Sequence, residues 1–269
     1  MEFSIGHGIK PAASQLIKKH GQWLFPFTIL FIIAIWEAII RWGRLPAFIL
    51  PPPELVLQRL SQSILDGSLL RNAADTLLEV VLGLLLGSSS ASVLGYLLAK
   101  SPTLERILSP YLVASQAIPI VAIAPLLVIW FGPGMISKVL VCALIVFFPI
   151  LVNTVMGLKA VPENLNDLMH SLDASPSQML RYLEIPAALP VFLGGLRIGA
   201  TLSVMGAVVG EFVGADRGLG FLINVARGQY DTAMVFVAIF TLIAMALMLY
   251  GLVVLLEQRL LSWQRDNHK

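Results

Sequence analysis

Charge is what this 269-residue chain has least of. Only 13% of its residues are Asp, Glu, Lys or Arg, while 57% are hydrophobic and the mean hydropathy is +0.85. A soluble domain carries about 25% charged residues, so a water-soluble globular fold is excluded and a polytopic membrane protein is implied. The net charge of +2 is too small for a nucleic-acid partner. Cys142 is the only cysteine and lies in an apolar run, which excludes an intrachain disulfide and leaves the redox compartment unread. Chemistry-bearing motifs are missing as well. There is no GxxxxGK[ST], and the run GADRGLG at 214–220 lacks the lysine and serine of a phosphate cradle. HExxH and GxSxG are absent. None of His7, His20, His170 and His268 stands at metal-ligand spacing from a carboxylate within an apolar run, so no metal, cofactor or catalytic residue is expected in this chain. The first 22 residues are basic and polar without an apolar core, so no cleavable signal peptide is expected.

What is present is apolar sequence in long runs. Six of them, at 23–40, 76–98, 108–131, 139–158, 191–213 and 234–256, predict an all-α protein with about six transmembrane helices in one domain, residues 1–269. Residues 8–22 read either as an interfacial amphipathic helix on the cytoplasmic face or as an unstructured basic tail. Pro51-Pro52-Pro53-Glu54 opens a second amphipathic helix, with Leu57, Leu60, Ile64 and Leu65 as its apolar positions. Gly83, Gly87 and Ala91 recur every four residues, a spacing that lets helices approach closely. The third run is interrupted by Pro110, Pro119 and Pro125 and ends in the turn Gly132-Pro133-Gly134; a glycine-rich loop is expected over 214–230. An even number of spans with both termini cytoplasmic places eleven of the eighteen basic residues inside and seven outside, Arg197 among the former and Lys138 among the latter.

Polar residues inside the runs are few. A charge in hydrocarbon costs about 2.5 kcal/mol or more, so each must face protein or water. Glu37, Glu79 and Glu211 lie near span ends and read as interfacial or structural. Gln116, Pro119 and Asn153 sit deeper, with Ser203 and Met205 in the fifth run, and either line a substrate path on the third and fifth spans or serve helix packing.

The polar island DLMHSLDASPSQMLRYLEIPAALP, at 167–190, cannot sit in lipid. It predicts a cytoplasmic loop, 165–190, with a helix over 165–180 that presents Leu168, Met169 and Leu172 on one face. Ser175 is its expected helix cap, Asp173 a loop residue, and Ile185-Pro186 a turn back to the membrane. These residues resemble the EAA loop of permease subunits of binding-protein-dependent ABC importers. Asp167, Leu168 and Met169 fall on Glu-Ala-Ala, Asp173 on the family glycine, Leu183 on the isoleucine and Ile185-Pro186 on Leu-Pro. SQAIPIVAIAPLLVIWFGPG at 115–134, the Leu50-Pro51-Pro52-Pro53 run, and Gly210-Glu211 with Gly218-Leu219-Gly220 are similar to the nitrate/sulfonate/taurine type, most like permeases for thiamine-precursor pyrimidines and riboflavin-like organics. The resemblance implies a multi-pass subunit of a bacterial inner membrane. It implies cytoplasmic ATPase subunits that carry ATP and Mg, an extracytoplasmic solute-binding protein, and a second permease copy. The solute it implies is one of those organics or a sulfonate, taurine, nitrate or bicarbonate. An ion-coupled secondary transporter and an intramembrane enzyme are the alternatives. The first needs a mid-membrane carboxylate or a matched pair of broken helices, the second a catalytic pair.

Overall fold

The structure, a computed structural model, describes residues 12–262, with side chains from residue 27 onward. All regular elements of the described residues are helical: α1 (Ala12–Gly43), α2 (Pro53–Leu65), α3 (Ser68–Lys100), α4 (Pro102–Gln116), α5 (Ile120–Phe131), α6 (Met135–Lys159), α7 (Glu163–Ser171), α8 (Pro176–Met179), a π-helical turn (Leu180–Glu184), α9 (Ile185–Gly214), α10 (Leu219–Gly228) and α11 (Thr232–Leu260). Among these residues α3, α6, the continuous stretch Pro176–Gly214 and α11 are long and apolar enough to cross a membrane, and α4 and α5 are so only when taken together, as a pair bent by 95° at their break. The expected third span is therefore two helices at nearly a right angle. Residues 12–22 run unbroken into α1, so no separate interfacial helix forms there, and residues 8–11 lie outside the described part. α1 sits at the periphery, where Trp36 stacks on Phe236 of α11 at 5.2 Å between ring centroids.

Helix α6 forms the centre, between α3 and α9. Contact this close requires small residues. A Cβ on Gly83 would stand 2.2 Å from the Cys142 Cβ, and one on Gly87 2.7 Å from the Ala143 carbonyl oxygen. From the other side, a Cβ on Gly206 of α9 would stand 2.8 Å from the Cys142 Cα. The lone cysteine is thus a small packing residue pressed between two helices and wholly buried. The outward faces of α3 and α11 stay apolar and exposed, as at Leu85 and Leu247, which suits lipid as the surrounding solvent.

The prolines act unequally, and the residue before each one separates them. Pro110, Pro125, Pro149 and Pro190 follow Ser109, Ala124, Phe148 and Leu189, and all four lie inside uninterrupted helix. Pro119 and Pro186 follow isoleucine. At Ile118-Pro119 the helix breaks, and before Pro186 it widens into the π turn, with the Ile185 N–H bonded to the Leu180 carbonyl. Proline already disfavours the α conformation in its predecessor, and a β-branched side chain adds to that cost. Ile185-Pro186 therefore belongs to a continuous helix rather than the expected turn.

Two other expectations change. The segment 214–230 contains the ten-residue helix α10, because Leu219 and Ala226 are buried against the bundle. In α2 the buried face is Val56 with Ser63, and Leu57, Ile64 and Leu65 point outward.

Because Gly83 has no room for a methyl group, Gly83→Ala is expected to lower stability by about 1–3 kcal/mol through overpacking. Gly194→Ala is the matched control, since a Cβ there meets nothing within 4 Å. Thermal unfolding in detergent checks this: a lower midpoint for the first variant only.

Candidate functional site

The bend between α4 and α5 opens a cavity of about 440 Å³. Ser115 and Gln116 reach it from the end of α4, Phe148, Pro149 and Asn153 from α6, and Ile198 from α9. Two residues distant in sequence, Gln116 and Asn153, are thereby brought together beside Pro119, which caps the start of α5. Asn153 donates its Nδ2 to the Pro149 carbonyl at 2.7 Å, and Ser115 donates its Oγ to the Leu112 carbonyl at 2.8 Å. The other two expected path residues are elsewhere. Ser203 is wholly buried and donates to the Ala200 carbonyl at 2.8 Å, and Met205 is exposed on α9 outside the cavity lining. Their positions on the fifth run give no sign of this, because α9 turns Ile198 rather than Ser203 toward the bend.

A cluster of buried charge ties the far ends of the helices together. The Lys138 ammonium on α6 pairs with the Glu79 carboxylate on α3, both almost fully buried. The Glu211 carboxylate on α9 lies beside that of Glu79. It accepts from Thr76 Oγ1 at 2.6 Å and from the Gly220 N–H. Thr76 Oγ1 in turn accepts from the Leu219 N–H, and Asn72 Oδ1 from the Gly218 N–H, each at 2.8 Å. Gly218 adopts φ +110°, and a Cβ there would stand 2.0 Å from Glu211 Oε1. Glu79 and Glu211 are thus structural, one of the readings open from sequence. Lys138 belongs inside α6 and not on its flank. The signal available was a lone lysine just after Gly132-Pro133-Gly134, in a chain with two unpaired glutamates. Arg197 likewise lies within α9, paired with Glu257 of α11. Glu37 pairs with Arg41 one turn along at 2.7 Å.

At the opposite end of the bundle, Lys100 pairs with Glu184, and Lys159 with Glu105 at 2.6 Å. Here α7 lies between the long helix α6 and the stretch Pro176–Gly214, whose first turn is α8. The expected single helix over 165–180 is two pieces. α7 closes with the Asp173 N–H bonded to the His170 carbonyl and the Ala174 N–H to that of Met169, each at 3.0 Å, with Asp173 at φ +50°. This is a Schellman cap with Asp173 at the left-handed position, where glycine is favoured and another residue carries about 1–2 kcal/mol of strain. The chain restarts at Ser175, which forms a capping box with Gln178. Leu168 and Leu172 are exposed on one face of α7 with Leu165, while Met169 is half-buried. Asp167 is exposed on α7, Leu183 is half-buried in the π turn, and Ile185 and Pro186 begin α9.

Residues 83–262 match the family described as the binding-protein-dependent transport system inner membrane component. The riboflavin transport system permease protein of Chloroflexus aurantiacus is 47% identical over 89% of each chain. The formylaminopyrimidine transport permease protein of Halalkalibacterium halodurans is 37% identical over 93% of this chain and 100% of its own. The taurine transport system permease protein of Escherichia coli is 33% identical over 89% of each. A structure of the MetNI methionine ABC transporter in inward-facing conformations superposes with a TM-score of 0.64 over 73% of this chain and 97% of that one; at 18% identity it shows a shared fold. The chain belongs to the binding-protein-dependent inner membrane components and is a multi-pass permease of an ABC importer. Within that class it is of the nitrate/sulfonate/taurine type, a transport subunit and not an enzyme.

The charge cluster makes a sharp prediction. Lys138→Met leaves buried carboxylates without their cation and should cost about 3–5 kcal/mol. Adding Glu79→Leu should recover most of that loss. Folded yield and thermal midpoint of the native protein and the two variants in detergent check it, and equal stability of single and double variants would contradict it.

Proposed function

We propose that this chain forms half of a homodimeric importer channel. It receives a small organic solute from an extracytoplasmic binding protein and passes it through the cavity at the α4–α5 bend, driven by ATPase subunits docked on α7. The observation that carries this reading is the exposed apolar stripe Leu165, Leu168 and Leu172 on a helix outside the apolar spans. Apolar side chains left in water there suit a protein groove, and burying each contributes about 1.5–3 kcal/mol. ATP and Mg belong to the ATPase, since this chain carries no phosphate cradle. One docking loop per chain and two ATPases give two permease copies.

In this reading α1 is the sixth span and both termini are cytoplasmic. Moving Arg197 and Lys138 into the spans leaves ten basic residues inside (eleven less one) and six outside (seven less one), so the basic bias toward the cytoplasm persists. The helical stretch from Pro176 to Gly214 follows α7 after the short link at 172–175 and carries Ile198 to the cavity, so movement at the docking loop reaches the path through α9. Solute specificity rests first with the binding protein. The relatives named for riboflavin and formylaminopyrimidine are more similar to this chain than the one named for taurine, which supports a neutral heterocyclic solute over a sulfonate, nitrate or bicarbonate. An ion-coupled secondary transporter is disfavoured, because Glu79 and Glu211 are occupied by Lys138, Thr76 and Gly220. An intramembrane enzyme has no catalytic pair among the described residues.

Leu172→Asp is expected to abolish co-purification of the ATPase while leaving the permease monodisperse on size exclusion. Retained association with normal uptake would overturn the docking assignment.

A further inference from the structure

The cavity at the bend has a lining that selects a chemistry. It holds no charged side chain. An anion or a cation moved there from water would lose its hydration without a counter-charge, at a cost of several kcal/mol. Its polar groups are neutral and of both kinds. Asn153 uses its Nδ2 on the Pro149 carbonyl, which turns its Oδ1 free to accept. Gly195 of α9 lies against the same side chain: a Cβ there would stand 2.7 Å from the Asn153 Cβ and 3.1 Å from Nδ2. Ser115 commits its proton to the Leu112 carbonyl and likewise offers an acceptor. Gln116, the last residue of α4, is exposed and supplies both a donor and an acceptor. The break adds backbone groups of both signs, carbonyls at the end of α4 and N–H groups at the start of α5. Phe148, Ile118 and Ile198 complete the lining with flat and apolar surface.

We propose that this cavity is a selective station for the solute, binding an uncharged planar heterocycle by a cyclic amide or imide edge. The ring N–H meets Asn153 Oδ1 or Ser115 Oγ, the adjacent carbonyl meets the Gln116 amide, and the ring face lies on Phe148. Donor and acceptor side by side match such an edge, whereas a sulfonate or nitrate presents acceptors alone and a full charge. The volume suits a small organic molecule. This deepens the path assigned above and rests on it: the permease itself discriminates among solutes, in addition to the binding protein.

The test uses the permease with its ATPase in lipid nanodiscs without binding protein, so that selection by the permease is seen alone. Riboflavin is the fluorescent probe, with its N3-methyl derivative, uracil and taurine as comparisons. Riboflavin is expected to bind, uracil to compete and taurine not to compete. Gln116→Leu and Asn153→Leu should each weaken binding about tenfold or more. N3-methylation should weaken binding to the native protein, and much less to Asn153→Leu. No binding by the native complex, equal affinity in the variants, or competition by taurine equal to that by uracil would overturn the proposal. Cysteines at 116 and 153 in a Cys142→Ser background separate it from the path assignment. Labelling by aqueous reagents without selective binding leaves the path and removes the station. No labelling in any nucleotide state removes both.

Discussion

Two carboxylates and one ammonium, shut away from water and lipid, hold this bundle in register. Each charge alone would cost about 2.5 kcal/mol or more at membrane depth. Together, Glu79 and Lys138 fix α3 against α6, and Glu211 joins α9 to α3 through Thr76. At the start of α10 the Gly220 N–H then donates to the Glu211 carboxylate and the Leu219 N–H to Thr76 Oγ1, an arrangement favoured by the positive end of a helix. Glycine is required at 218, because the carboxylate occupies the space of a side chain and the backbone is left-handed. Remove the ammonium and the helices lose the contact that aligns their ends.

That rigid frame gives the α4–α5 bend its meaning. α5 is packed into the frame through Ala124 and Leu127, whereas α4 has no fully buried residue and is tethered by Glu105 to Lys159. The two helices on either side of the bend thus differ in how firmly they are held, and the cavity lies at their junction. Its other walls, α6 and α9, lead to the end of the bundle where α7 and α8 stand. The cavity wall at Ile198 and the end of the loop at Pro176 therefore lie on one continuous helical stretch.

Much of this is legible in the residues. Long apolar runs mark α3, α6, α9 and α11, because length and hydropathy decide membrane crossing without tertiary help. The small residues Gly83 and Gly87 announce the contact with α6, and Ser175 announces its cap. What the residues conceal is pairing across distance. Nothing local to Lys138 names Glu79, 59 positions away by subtraction of residue numbers, as its partner. Nothing in the fifth run says that Ser203 faces inward and Ile198 the cavity. The proline count misleads as well: the prolines of the third run look alike, and only the one after isoleucine breaks the helix. Asp173 is instructive, since it takes a left-handed cap position that glycine would occupy without strain.

As a permease of an ABC importer, this chain is expected to move solute only as the membrane part of an ATP-driven machine. The most direct test is uptake into proteoliposomes holding the permease, its ATPase and its binding protein. Uptake should require ATP and all three components and should be unchanged when proton and sodium gradients are collapsed by ionophores. Uptake by this chain alone, driven by an imposed proton or sodium gradient, would contradict the account.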